Sequence, residues 1–282
     1  PFSVAVGNMN ADGSIDIVTA NANFDSNTVS VLLGNRDGTF QTEQSFTVGT
    51  TPIAAAIADL NGDGRPDLIV SEAANGDRLF FLQNESSGPG DFAFKISMIR
   101  LDGKKVKRIE SADIDGDGKP DVIVTDQRGN VLTILINQSA LSEVNFSSAN
   151  ASLLTIDEVD ESRGFDDVAA QDLDDDGRPE IILIEFQRND SKVVIVPNAS
   201  TPGNFEFGKL HALQISGTPA NLEIGDLDGD LLPDISVSLL LGSSVAIFRN
   251  ITGSEGIAFA TAVHFETDER PYGLDVGHLD GD

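Results

Sequence analysis

Asp113-Ile114-Asp115-Gly116-Asp117-Gly118-Lys119-Pro120-Asp121 decides the reading of this chain, because the same nine-residue pattern returns along its whole length. Asp59 to Asp67, Asp172 to Glu180 and Asp226 to Asp234 repeat it, and Asn8 to Asp16 is a weaker first copy. A truncated sixth copy starts at His278. The starts at 8, 59, 113, 172, 226 and 278 give a period of about 54 residues, with one insertion before the fourth copy.

Each period carries the same succession of short runs. An Ala- and Gly-rich alternating run precedes the acidic loop, as in Ile53 to Ile57 or Leu222 to Gly225, and a β-branched run such as Val122-Ile123-Val124 follows it. A turn leads to a third run (Val29 to Leu33, Leu79 to Leu82, Val131 to Ile136, Val193 to Val196, Val245 to Phe248). A fourth run is expected to open with Phe40, Phe94, Phe146, Phe207 or Phe259. Short apolar runs at this spacing, with no helical period, predict an all-β chain. Four strands in each repeat of 40 to 50 residues are the mark of β-propeller blades. Residues 1–282 therefore read as a single β-propeller repeat domain of about five complete blades plus the start of another.

Positions 1, 3, 5 and 9 of the loop are Asp, Asn or Glu, and position 7 can offer a backbone carbonyl. Hard oxygen donors in this number suit Ca²⁺, whereas zinc or copper would call for His or Cys. Glycine at position 6 (Gly13, Gly64, Gly118, Gly177) permits a positive-φ bend, and proline at position 8 is expected to start the next strand. An EF-hand loop begins alike, but it closes with Glu at position 12 and runs into a helix. Here position 12 is Val70, Val124, Leu183 or Val237, inside an apolar run. Plain Asp/Gly hairpin turns without metal are the remaining alternative. Five copies at constant phase weigh against it, since crowded carboxylates repel one another without a cation.

Loop, flanking strands and recurring Phe together resemble the FG-GAP/VCBS-type repeats that also build the propeller of integrin α subunits, and the resemblance covers essentially the whole chain. It implies a loop joining the first two strands of each blade, with Ca²⁺ held by positions 1, 3, 5 and 9 and the carbonyl of 7. The ligands implied are Asp59, Asn61, Asp63, the Arg65 carbonyl and Asp67, then Asp113, Asp115, Asp117, the Lys119 carbonyl and Asp121. The later copies supply Asp172, Asp174, Asp176, the Arg178 carbonyl and Glu180, and Asp226, Asp228, Asp230, the Leu232 carbonyl and Asp234. The first copy, with Asn8, Asn10, Asp12, the Ser14 carbonyl and Asp16, has two carboxylates and should bind most weakly of about five sites. Leu231 replaces the position-6 glycine, so that loop either bends differently or loses affinity, since a non-glycine residue at positive φ costs about 1–2 kcal/mol.

Composition sets the partners. The 46 acidic and 18 basic side chains give a formal charge of −28, which disfavours nucleic acid and anionic lipid surfaces. No apolar run approaches the roughly 18 residues of a membrane span. Cysteine is absent, which removes disulfides and thiolate chemistry without choosing a compartment. The start, Pro1-Phe2-Ser3-Val4, has neither an initiating Met nor a signal segment and reads as an interior piece of a longer or processed chain. Five units and a fragment are too few for a ring of six to eight blades, so flanking blades or neighbouring subunits are expected.

Extracellular calcium modules bind at about 10⁻⁴ to 10⁻³ M. The function expected is therefore an extracellular, secreted or cell-surface scaffold for adhesion, with structural calcium. Its protein or glycan ligand is expected on the face opposite the calcium loops, at Asn21 to Asn27, Glu72 to Asp77, Arg128 to Asn130, Phe186 to Ser191 and the connections Leu101 to Lys107 and Asp157 to Asp167. Arg100, Lys104, Lys105, Lys107 and Arg108 form a local basic cluster, read first as a solvated loop balancing acid and second as a partner patch. The competing class is the propeller, catalytic or not, of a secreted polysaccharide lyase. Three His and one Tyr (His211, His264, His278, Tyr272) give it little to work with, and no catalytic constellation stands out. Seven N-x-S/T sequons occur, at Asn84, Asn137, Asn145, Asn150, Asn189, Asn198 and Asn250. Four of them fall at one place after the third strand, where Asn serves as a turn residue.

Overall fold

A computed structural model describes residues 3–22, 27–72, 76–88, 92–126, 129–156, 164–185, 187 and 191–277. Among the described residues, twenty strands form five four-stranded antiparallel sheets. Blade one holds β1 (Ser3–Gly7), β2 (Asp16–Asn21), β3 (Thr28–Leu32) and β4 (Gln44–Thr47). Blade two holds β5 (Pro52–Ala58), β6 (Asp67–Glu72), β7 (Arg78–Asn84) and β8 (Phe94–Arg100). In blade three are β9 (Val106–Ala112), β10 (Asp121–Asp126), β11 (Val131–Leu135) and β12 (Ala151–Thr155). Blade four has β13 (Asp167–Gln171), β14 (Glu180–Glu185), β15 (Ser191–Val196) and β16 (His211–Ile215). Blade five has β17 (Pro219–Gly225), β18 (Asp234–Leu239), β19 (Ser244–Phe248) and β20 (Val263–Glu266). Within every sheet the strands lie in chain order, as successive hairpins.

The chain divides into two compact units, Pro1–Ser111 with Gly118–Gln127 and Val131–Thr155, and Ala112–Asp117 with Arg128–Asn130 and Ile156–Asp282. In the first unit, Leu68 and Val70 of β6 pack with Val18, Val29, Val31 and Leu33 of blade one. Ile69 between them points the other way, to Val122, Val124 and Leu135 of blade three. The period-2 alternation thus feeds two cores from one strand, which is why the second-strand runs are apolar throughout. Phe81 stacks on Phe146 with centroids 4.6 Å apart, and Phe46 meets Phe94 edge to face at 4.9 Å. In the second unit, Ile182, Ile184, Val193 and Ile195 pack with Ile235, Val237, Ala246 and Phe248. Burying each such side chain is worth about 1.5–3 kcal/mol.

Two strand boundaries differ from the sequence reading. The second strands begin at position 9 of the loop (Asp16, Asp67, Asp121, Glu180, Asp234), in the last four one residue after proline. The recurring Phe opens the fourth strand in β8 alone. Phe40, Phe207 and Phe259 form isolated bridges to Gly34, Asn198 and Asn250, and Phe146 lies before β12, so those strands start further on. The truncated copy from His278 lies outside the described residues.

Candidate metal centres

The acidic loop connects the first and second strands of every blade. Gly7 pairs with Asp16, Ala58 with Asp67, Gln171 with Glu180 and Gly225 with Asp234, so the loop is the tip of a hairpin. Gly13, Gly64, Gly118 and Gly177 at position 6 have φ of 84°, 83°, 87° and 84°. Leu231 takes φ 72° in the fifth loop, which therefore keeps the same bend and carries the strain in place.

Side chains at positions 1 and 3 fold inward and accept backbone N–H groups, which shapes the loop. Asp59 accepts from Gly62 at 2.8 Å and from Gly64 at 2.8 Å, and Asp226 does the same for Gly229 at 2.8 Å and Leu231 at 2.9 Å. These N–H groups hold the Asp226 carboxyl below its ordinary range, Leu231 contributing most. The position-9 carboxylates are buried buckles: Asp67 accepts Leu60 N–H at 3.0 Å with one oxygen and Asn84 N–H at 2.7 Å with the other. Asp234 repeats this with Leu227 and Asn250, and Glu180 with Leu173 and Asn198. The longer Glu180 fits the same seat, its bond to Asn198 stretched to 3.3 Å. Burial lifts Asp67 to about 6 and Glu180 to about 7.

Carboxylate oxygens of Asp113, Asp115 and Asp121 converge to within 4.8 Å of one another, as do those of Asp172, Asp174 and Glu180, and those of Asp226, Asp228 and Asp230. Desolvation, followed by the charges of Asp176 and Asp172, raises Asp174. Its Oδ1 is buried with no hydrogen-bond partner. That orphaned oxygen and an all-oxygen donor set fit a hard divalent cation such as Ca²⁺. The first and second loops, with Asn8, Asn10 and Asn61, hold fewer carboxylates. Asp12 there is held low, chiefly by the Ser14 N–H, and Asp16 is raised by burial.

Sequence reasoning missed the residue that ties one loop to the next. Asn84 donates its side-chain amide to the Met9 carbonyl at 2.6 Å and to the Pro66 carbonyl at 2.9 Å. Asn137 does so to Leu60 and Pro120, Asn198 to Ile114 and Pro179, and Asn250 to Leu173 and Pro233, all between 2.7 and 3.1 Å. Each amide thus joins position 2 of the preceding loop to position 8 of its own. Its oxygen accepts the N–H two residues on, at Ser86, Ser139, Ser200 or Thr252. Those hydroxyls accept from Ala93, Asn145, Glu206 and Ala258 across the turn. Both invariable members of these four sequons are therefore consumed by structure. Gly34, whose N–H reaches Asp16 at 2.8 Å, occupies the corresponding place in blade one, and a Cβ there would lie 2.4 Å from the Ile15 carbonyl.

Elsewhere Arg100 pairs with Asp77 at 3.2 Å, and Lys104 lines a cavity of about 230 Å³ with Leu101, Asp102 and Thr133. Arg108 donates its N–H to Thr125 at 3.1 Å. His211 and His264 are exposed on β16 and β20, in separate sheets, and Tyr272 is exposed. Of the loops expected to bind a partner, residues 23–26, 73–75, 128, 157–163, 186 and 188–190 lie outside the described residues, as does the Asn189 sequon. Among the described residues no helix is long and apolar enough to cross a membrane.

Residues 8–70 and 172–237 match the family model described as FG-GAP-like repeat. Among curated proteins the chain has no match. Among solved structures it is similar to BBS1N in complex with ARL6DN, with TM-score 0.54 and 13% identity over 95% of this chain and 69% of that one. An Agrocybe aegerita lectin described as recognising non-reducing terminal N-acetylglucosamine matches at TM-score 0.49 and 16% identity, over 94% of this chain and 80% of that one. The V. cholerae biofilm matrix protein Bap1 matches at TM-score 0.44 and 18% identity, over 94% of this chain and 38% of that one. The first of these likenesses is one of fold, that of four-stranded blades.

Proposed function

Taking a chain whose repeats are of the FG-GAP type as the premise, we propose that it is an extracellular, calcium-stabilised scaffold that presents loops for adhesion to a protein or glycan ligand. The observation that carries this reading is the convergence of three carboxylates in each of three hairpin loops, with the buried Asp174 Oδ1 left without a partner. When bound, Ca²⁺ supplies the positive charge that lets these carboxylates sit together. The chain does the rest. Asp16, Asp67, Glu180 and Asp234 at position 9 are each pinned by two backbone N–H groups, and Asp121 and Glu180 join the converging carboxylates of their loops. Asp59, Asp113, Asp172 and Asp226 hold its curvature, and the clamp asparagines tie it to its neighbour.

The loops gather oxygen donors from Asp, Asn and Glu, a set that suits a structural cation. The reading is therefore structural: the cation stiffens hairpins, and function lies in the loops they support. About 2.7 kcal/mol accrues to each site at 100-fold excess over Kd if the unfolded chain binds none. A thermal melt of the whole chain in millimolar calcium and in excess chelator is the test. A midpoint that falls by several degrees on chelation is expected, and coincident melts would overturn the proposal.

A further inference from the structure

Three loops place a guanidinium on the carboxylate at position 5, and they do so from different places in the sequence. In the second loop Arg65, at position 7, reaches back to Asp63 at 2.7 Å and donates to the Ser86 carbonyl at 3.1 Å. In the fourth, Arg178 at position 7 pairs with Asp176 and donates to the Asn198 carbonyl at 3.2 Å. The fifth loop has Leu232 at position 7, and there Arg249, at the end of the third strand, takes the role: it pairs with Asp230 at 3.1 Å and also with Asp228. The first loop has Ser14 at position 7, and Arg36 lies over Gly13, its Nη2 3.2 Å from where a Cβ would stand, with its charge acting on Asp12. Arg65, Arg178 and Arg249 thus bring a guanidinium to the position-5 carboxylate from two different sequence positions.

The other oxygen of the same carboxylate accepts the position-7 N–H, at 2.9 Å in Asp63 and Asp176 and 3.0 Å in Asp230. Both oxygens of position 5 thus meet donors of the protein's own. Resting on the calcium reading above, we propose that Arg65, Arg178 and Arg249 are resident counterions that set the affinity of these loops, holding the ion-free hairpin together and weakening the divalent cation that shares its carboxylates. Arg249 is the strongest instance, because Asp228 and Asp230 are two of the three carboxylates that converge in the fifth loop.

Removing the guanidinium has two effects of opposite sign, and a purely structural side chain would produce only one. Loss of a positive charge a few ångströms from the site raises cation affinity about three- to tenfold, given screening at these half-exposed positions. The same loss leaves the carboxylates of the ion-free loop unbalanced, lowering the midpoint in chelator by about 2–4 °C.

The test is calorimetric titration of the whole chain with CaCl₂, together with melts in chelator, for the wild type, Arg249→Gln, Arg249→Lys and the triple variant Arg65→Gln/Arg178→Gln/Arg249→Gln. Tighter calcium binding with a lower chelated midpoint in both Gln variants, restored by Lys, is expected. Unchanged or weaker binding in the Gln variants, beside a wild type that binds calcium, overturns the counterion role and leaves the calcium reading standing. A wild type that neither releases heat with calcium nor shifts its midpoint overturns both.

Discussion

Asn198 donates its side-chain amide to the carbonyl of Ile114, 84 residues earlier, at 2.9 Å. The same amide reaches Pro179 at 3.0 Å, and the residue is 4% exposed, so two carbonyls depend on one buried donor. Asn198→Ala is expected to cost about 2–4 kcal/mol, because it leaves both acceptors desolvated and unmet. Asn198→Asp should cost no less, having lost the donor and gained a buried charge. Urea melts of both variants check this. A change under 0.5 kcal/mol would deny the clamp its role.

Of the six sequons in the described residues, Asn84, Asn137, Asn198 and Asn250 are buried, while Asn145 and Asn150 are exposed. A folded chain secreted from an N-glycosylating host should therefore carry glycan at Asn145 or Asn150 and at none of the four clamps. Glycopeptide mass spectrometry of the folded fraction reads this out. Full occupancy at any clamp would contradict the hydrogen bonds drawn there.

Glu223 on β17 is lifted to about 7, chiefly by burial, then by Asp275 and Asp167. A raised acid binds its proton more tightly when folded. Its contribution is complete below about 4.5 and is lost as pH rises through about 7. Glu223→Gln should match the wild type near the lower limit and exceed it above the upper one. The gain is about 1 kcal/mol after allowance for solvent screening at a half-buried site. Denaturation of both proteins across that pH range is the check, and parallel curves would mean that folding does not raise the acid.

Leu231 is 87% exposed at φ 72° and packs on little. Leu231→Gly relieves the left-handed strain of about 1–2 kcal/mol but loosens the unfolded chain, so a net gain of about 0.5–1 kcal/mol is expected. A loss of stability on this change would mean that the side chain holds the loop.

Within the calcium reading, Asp174→Ala should abolish more of the chelator-sensitive stability than Asp12→Ala. The fourth loop gathers three carboxylates around an unpartnered oxygen, whereas the first has asparagine at positions 1 and 3. Comparing the calcium-dependent midpoint shift of the two variants decides it.

What was legible in the sequence was local. Leu68 to Val70 reads as a strand because alternate side chains enter different cores, and the loop reads as a hairpin tip because glycine and aspartate chemistry acts over nine residues. Phe207 misled as a strand start, since a bridge to Asn198 precedes the strand by several residues. Leu231 left two outcomes open, and only the backbone angle chose between them. The clamp was visible only as a recurrent Asn-x-Ser/Thr, because the acceptor in the preceding loop lies 75 to 84 residues upstream, a distance over which spacing carries no signal. Arg249 likewise could not be assigned to the fifth loop until the end of β19 was seen beside it.

The clamps all point one way along the chain. In the four clamps the later repeat grips its predecessor, and Gly34 at the corresponding place has no side-chain amide to donate. The array therefore has a polarity that its near-identical units conceal. Removing the last blade would strip away a donor and leave every remaining amide satisfied. Removing the first would leave Asn84 with a buried N–H that had lost the Met9 carbonyl. The loss is thus unequal: taking away a later unit costs its predecessor no side-chain amide bond, while taking away an earlier one leaves a buried N–H unmet in the unit that follows it.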